Sequence, residues 1–103
     1  MGDYEELDTE LIEYFKTVYP NEGVVYIKDG KVLPQTNIHD KPEGGFLVDA
    51  LSFMKVKPDA IVHSHPSGDP TPSEDDVLLR NTTGVDIGIY GCNPKKEVRC
   101  VWL

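Results

Sequence analysis

His63 and His65 stand one residue apart; seven residues then lead to Ser73, and two more to Asp76. Imidazole nitrogens and a carboxylate are donors that zinc accepts. Just upstream, Asp59-Ala60-Ile61-Val62 is short and largely apolar and reads as a buried strand feeding into His63. Residues i and i+2 of a strand project to the same side, so the two imidazoles point together. Pro66 ends that strand, and Pro70 and Pro72 keep the chain extended up to Ser73. A helix then starts with Ser73 as its N-cap and Asp76 in the first turn. His63, His65 and Asp76 would hold one zinc ion per chain and leave the fourth tetrahedral position to water, the mark of a catalytic site. Ser73-x-x-Asp76 is also close to a capping-box pattern. The two duties are compatible, because a first-turn carboxylate is held rigidly in either.

The elements that must position these residues follow from the apolar pattern. Leu11, Ile12, Phe15, Val18 and Tyr19 share one helical face, with Glu10, Glu13 and Lys16 on the other, so a helix is expected from about Asp8 to Tyr19. Asp8 or Thr9 would cap it and Pro20 stops it. Val24-Val25-Tyr26-Ile27 is a strand, Asp29-Gly30 a hairpin turn, and Lys31-Val32-Leu33 the returning strand. Pro34 to Gly45 reads as a loop, with His39 a surface residue lacking a partner at ligand spacing. Phe46-Leu47-Val48 reads as a short strand, followed by a helical turn or two capped by Asp49 and ended before Lys57-Pro58. Val77, Leu78 and Leu79 form the apolar side of the Ser73 helix, which Asn81-Thr82-Thr83-Gly84 breaks. Asp86–Tyr90 and Val98–Trp102 are the last strands, joined by a turn through Gly91–Lys96. This order predicts an α+β domain with a mixed or antiparallel sheet.

A length of 103 residues allows a single domain, 1–103, with one modest core. With 18 acids against 10 bases the net charge is −8, which repels phosphates and argues against a nucleic-acid partner. A neutral or basic polypeptide fits better. Met1-Gly2-Asp3-Tyr4-Glu5-Glu6 has no basic n-region or apolar h-region, and no apolar run approaches the ~20 residues of a membrane span. No membrane association is expected, and a cytoplasmic location is (the host's, if the chain is phage-encoded). Cys92 and Cys100 suit neither a disulfide framework nor a zinc knuckle, so reduced thiols are the expectation.

The spacing His63-x-His65, seven residues, Ser73-x-x-Asp76 resembles the signature of the JAMM (MPN+) zinc metallopeptidases. The wording His-Ser-His-Pro followed by Ser-Gly-Asp-Pro-Thr-Pro-Ser is similar to the bacterial and phage branch of that family. That branch includes RadC-type proteins and the protease domain of phage tail-assembly proteins. The resemblance follows the element order of nearly the whole chain but is sharp only over His63–Asp76. It implies a curved mixed sheet flanked by helices, the JAMM/MPN-like arrangement related to cytidine deaminases. It also implies a glutamate before an early strand, where Glu22 stands in Pro20-Asn21-Glu22-Gly23-Val24. Without the resemblance Glu22 would read as a solvated loop acid. The family's cysteine after that glutamate is replaced here by Gly23.

By the same resemblance, Glu22 is the general base and Ser73 the oxyanion donor in hydrolysis of a polypeptide amide or isopeptide bond. The substrate would offer a flexible, small-residue segment, in phage tail assembly or in removal of a ubiquitin-like tail. A partner domain could be supplied by another gene. The alternative is a non-catalytic module of the same fold in a tail-assembly or conjugation complex. A RadC-like link to DNA is opposed by the charge and by the lack of a helix-hairpin-helix module. A zinc deaminase would need His-x-Glu and Pro-Cys-x-x-Cys, and neither is present.

Overall fold

The computed structural model describes residues 4–103, so the Met1–Asp3 part of the acidic opening lies outside the described residues. The periodic apolar face of the first segment gives α1 (Asp8–Val18), in which Leu11 and Phe15 are buried. Its start departs from expectation. A 3-10 turn over Glu5–Leu7 leads directly into it, Leu7 occupies the cap position, and no side chain caps the helix. Asp8 instead accepts a hydrogen bond from the Tyr90 hydroxyl. Tyr19, expected on the apolar face, lies past the last turn and is exposed.

The strands are β1 (Val24–Lys28), β2 (Lys31–Gln35), β3 (Ala60–His65), β4 (Asp86–Gly91) and β5 (Arg99–Trp102). They form one sheet in the order β2-β1-β3-β4-β5. Pairing is antiparallel except between β3 and β4, which are parallel, so the sheet is mixed, as expected. Asp29 and Gly30 both have positive φ, 53° and 75°, which closes the tight β1–β2 hairpin. β2 continues through Pro34, which pairs with Val25. An edge strand tolerates this, because proline's missing N–H is not needed on the outer side.

The two sheet faces carry separate cores. Val25, Ile27, Ala60, Val62 and Tyr90 pack with Leu11 and Phe15 of α1. Val24, Tyr26, Ile61, Ile87 and Ile89 pack under α2 (Ala50–Val56) and α3 (Glu74–Thr83), with Phe53, Val56 and Leu79 supplying the helix side. On the α1 face, Gly88 leaves no room for a Cβ because the Trp102 ring lies 2.7 Å from that position, and the same indole stacks on Tyr4 at 4.6 Å. Only Leu79 of the expected apolar side of α3 is packed; Val77 and Leu78 are exposed. The expected strand Phe46-Leu47-Val48 does not form. That segment finds its hydrogen bonds elsewhere: Leu47 N–H donates to Asn37 Oδ1, and Ile38 N–H donates to Leu47 O. The side chains of Phe46 and Val48 still pack inward. No helix among the described residues is long and apolar enough to cross a membrane.

Candidate metal centre

β3 places its last residues at one end of the sheet, between β1 and β4. His63 pairs with Val24 across the antiparallel ladder and His65 with Gly91 across the parallel one. Alternation puts both imidazoles on the α2–α3 face, in line with Ile61. His63 is 1% exposed and His65 is only partly covered. Their rings lie 5.1 Å apart, and Phe46 lies over His63 at 4.4 Å.

α3 brings Asp76 to the same point. Asp76 N–H donates to Ser73 Oγ at 3.1 Å, and Ser73 N–H donates to Asp76 Oδ2 at 2.9 Å, a complete capping box. Asp76 Oδ1 lies 2.7 Å from His63 Nε2, and Oδ2 lies 3.8 Å from His65 Nε2. Burial works against ionisation of Asp76, but hydrogen bonding and charge from His63, with the Ser73 cap, hold its carboxyl down at about 2. Burial likewise opposes charging His63, yet Asp76 and Glu22 together raise its pKa above the usual value. An ionised Asp76 can only accept, so His63 Nε2–H donates to it.

Glu22 reaches the other side of His63 from the turn before β1. Its Oε1 lies 3.4 Å from His63 Nδ1, near enough for charge attraction but without hydrogen-bond geometry, so Nδ1 is a buried atom without a bonded partner. Glu22 is itself buried. Its main chain is fixed from several directions. Glu22 N–H donates to Pro42 O at 2.7 Å, and Asn37 Nδ2 donates to Glu22 O at 2.8 Å. Next to it, Gly23 N–H donates to Ser64 Oγ at 2.8 Å and Gly23 O accepts from Ser64 N–H at 3.0 Å. A Cβ on Gly23 would stand 2.7 Å from both Phe15 Cδ1 and Val18 Cγ2, so this close approach to α1 accounts for glycine there.

The ligand-capable atoms of Glu22, His63 and His65 lie within 4.8 Å of one another, a grouping that could hold a metal ion. Asp76 adjoins both histidines from the opposite side. Two donors on one tetrahedral zinc lie about 3.3 Å apart. The separations to Asp76 are 2.7 Å from His63 to Oδ1 and 3.8 Å from His65 to Oδ2, one below and one above that value. The second histidine is already in a suitable tautomer. His65 Nδ1 lies 2.9 Å from the Asp69 carbonyl, which can only accept, so the proton sits on Nδ1 and the neutral ring keeps its Nε2 lone pair. Donor chemistry and the preset tautomer of His65 fit a divalent cation.

The group opens into a cavity of about 400 Å³. Ser73, Asp75, Pro66 and Ser67 line one side, while His39, Glu43, Gly44, Gly45 and Phe46 line the other. His39 is therefore half-buried on the cavity wall, not the isolated surface residue its spacing implied. Sequence reasoning also missed Asn37 and Ser64. Their partners are fifteen and forty-one positions away, and nothing local marks them. Cys92 and Cys100 are free; burial pushes the Cys92 thiol up to about 11, which leaves it inert.

No protein-family model matches the sequence, and no curated protein matches it. Solved structures do match its fold. Protein DSY2949 from Desulfitobacterium hafniense, known as a solution structure, superposes with a TM-score of 0.71 at 21% identity, over 94% of this chain and 78% of that one. AF2198, a JAB1/MPN domain protein from Archaeoglobus fulgidus, superposes with a TM-score of 0.59 at 22% identity, over 92% of this chain and 81% of that one. The chain has an α+β, JAMM/MPN-like fold.

Proposed function

We propose that this chain is a zinc-dependent JAMM-type peptidase or isopeptidase, in which His63, His65 and Asp76 hold the ion and Glu22 and Ser73 act on the substrate. The observation that carries this reading is His63 set between two carboxylates, beside a histidine whose Nε2 is free to ligate, on the wall of an open cavity. When bound, zinc would supply Lewis acidity and acidify a water, from a pKa of about 15.7 towards ~7. The Glu22 carboxylate takes the water's proton and passes it to the departing amine nitrogen, so the amide bond breaks without a free charged amide leaving. The Ser73 oxygen accepts from Asp76 N–H, which leaves its own hydrogen to donate to the developing oxyanion. His63 would ligate through Nε2, with its proton moved from the Asp76 side to Nδ1 beside Glu22.

The substrate proposed is a polypeptide with a flexible, small-residue segment at the cut. A cavity with Gly44 and Gly45 on its wall favours a slim extended chain. Phage tail assembly and removal of ubiquitin-like tails both supply such segments, and the acidic chain suits neutral or basic partners without nucleic acid. Metal analysis after exhaustive dialysis should give close to one zinc per chain, and 1,10-phenanthroline should abolish cleavage of Gly-rich peptide amides. Folded wild-type protein that retains no zinc after dialysis and takes up none when zinc is restored refutes the peptidase. Full zinc with no turnover on any peptide or isopeptide would favour the non-catalytic binding module instead.

A further inference from the structure

His39 and His65 line the same cavity, and their backbone partners fix opposite tautomers. His65 donates from Nδ1 to a carbonyl, whereas His39 Nδ1 accepts from Lys41 N–H at 2.9 Å. An accepting Nδ1 carries no hydrogen, so the His39 proton resides on Nε2. That makes His39 a poor zinc ligand through Nε2 and a good hydrogen-bond donor. No hydrogen bond within the described residues uses this Nε2–H.

The ring is also held in place. His39 N–H donates to Asn37 Oδ1 at 3.1 Å, and the same Asn37 amide donates to Glu22 O at 2.8 Å and to Gly45 O at 2.9 Å. One side chain thus ties the His39 main chain to the residue that stands beside His63. Gly45 lies directly against the ring: a Cβ there would sit 3.1 Å from His39 Nε2 and 3.3 Å from Cδ2. A side chain at position 45 would crowd the ring and block the approach to its donor. His39, with its Nε2–H unused among the described residues, thus stands on the cavity wall beside the bare backbone of Gly44 and Gly45.

We propose that His39 is a substrate-binding residue, its Nε2–H donating to a main-chain carbonyl of an extended small-residue segment lying in the cavity. The proposal rests on the peptidase reading and adds the part of the site that selects the substrate's backbone. A main-chain carbonyl is the acceptor every peptide offers, and the glycine-lined wall admits it only where the substrate's own side chains are small.

The test uses the full chain loaded with zinc and, as probe, acetyl-triglycine amide, which has carbonyls but no carboxylate to seek the metal. Long-range proton–nitrogen correlation spectra should show His39 protonated on Nε2 alone, and its Nε2–H signal should move as peptide is added. His39→Ala should weaken peptide binding by about 2- to 12-fold, the worth of one neutral hydrogen bond, with zinc content unchanged. His39→Gln, which keeps an N–H donor, should recover at least half of that loss. Protonation on Nδ1, no peptide binding by wild type, or equal affinity in His39→Ala would each overturn the proposal. Zinc content is measured separately on the same samples. Its absence from wild type defeats the peptidase reading, whereas unchanged peptide affinity with zinc in place defeats only the role of His39.

Discussion

His63 faces a carboxylate on each side, and the two are held in opposite ways. Asp76 is locked: both of its oxygens and its own N–H are engaged, by His63 and by the Ser73 cap. Among the described residues Glu22 is anchored through its main chain, while its carboxylate lies 3.4 Å from His63 Nδ1, a looser contact than those of Asp76. A rigid acid suits an ion that needs fixed geometry. One held more loosely suits carrying a proton between two atoms. The difference is what the proposed roles call for: Asp76 as ligand, Glu22 as the group that transfers protons.

The sharpest way to break this contrast is to remove each acid in turn. Asp76→Asn should lose most of its zinc and essentially all turnover, as should His65→Ala; zinc per chain after dialysis is the measurement. Glu22→Gln should retain zinc and lose about 10²–10⁴-fold in kcat. If Glu22→Gln loses the metal and Asp76→Asn keeps it, the two roles are exchanged and Glu22 completes the ligand set with His63 and His65.

Ser73 serves both the helix and the cavity, and two substitutions divide those duties. Ser73→Ala should lower kcat by about 10²–10³-fold and also cost about 1 kcal/mol of stability through the lost cap. Ser73→Gly, which retains most of the capping preference, should restore the stability but not the rate. A rate that recovers along with the stability would make Ser73 a cap alone.

The smallest effect expected is on the stability of chelator-treated protein against pH. The folded-state pKa of Asp76 is depressed to about 2, so its contribution is present above the unfolded value of about 3.9 and fades as pH falls towards 2. That of His63 is raised, so its contribution is full below about 6.5 and is lost as pH climbs through the folded value. The melting temperature of the stripped protein should therefore be highest between about pH 4 and pH 6.5. Asp76→Asn should flatten both limbs; a wild-type profile that is already flat would remove the charged pair.

How far the site could be read from sequence depended on distance along the chain. His63, His65, Ser73 and Asp76 fall within a single strand–loop–helix passage, where alternation, proline and capping rules act over a few residues. Glu22 needed the family resemblance, since it meets His63 only through the β1–β3 ladder. The far wall gave no sign of itself. Phe46-Leu47-Val48 looks like a strand because its residues are apolar, but Phe46 and Val48 cover His63 and the second core, Leu47 is exposed, and Asn37 supplies hydrogen bonding that a sheet would otherwise provide. A polar side chain that organises a loop from within leaves no periodic trace. In the same way, Asp8 looked like a helix cap and is instead engaged by Tyr90, on a strand that follows it by some eighty residues.

Trp102, the chain's single tryptophan, lies over Gly88 and against Tyr4 on the α1 face, whereas His63 and His65 project from the other. Intrinsic fluorescence excited at the indole therefore watches the β5 edge and is blind to the cavity. Titrating zinc should leave the emission maximum where it is, while melting the sheet shifts it. The protein thus carries its own internal control, through which a variant that has lost its metal can be told at once from one that has lost its fold.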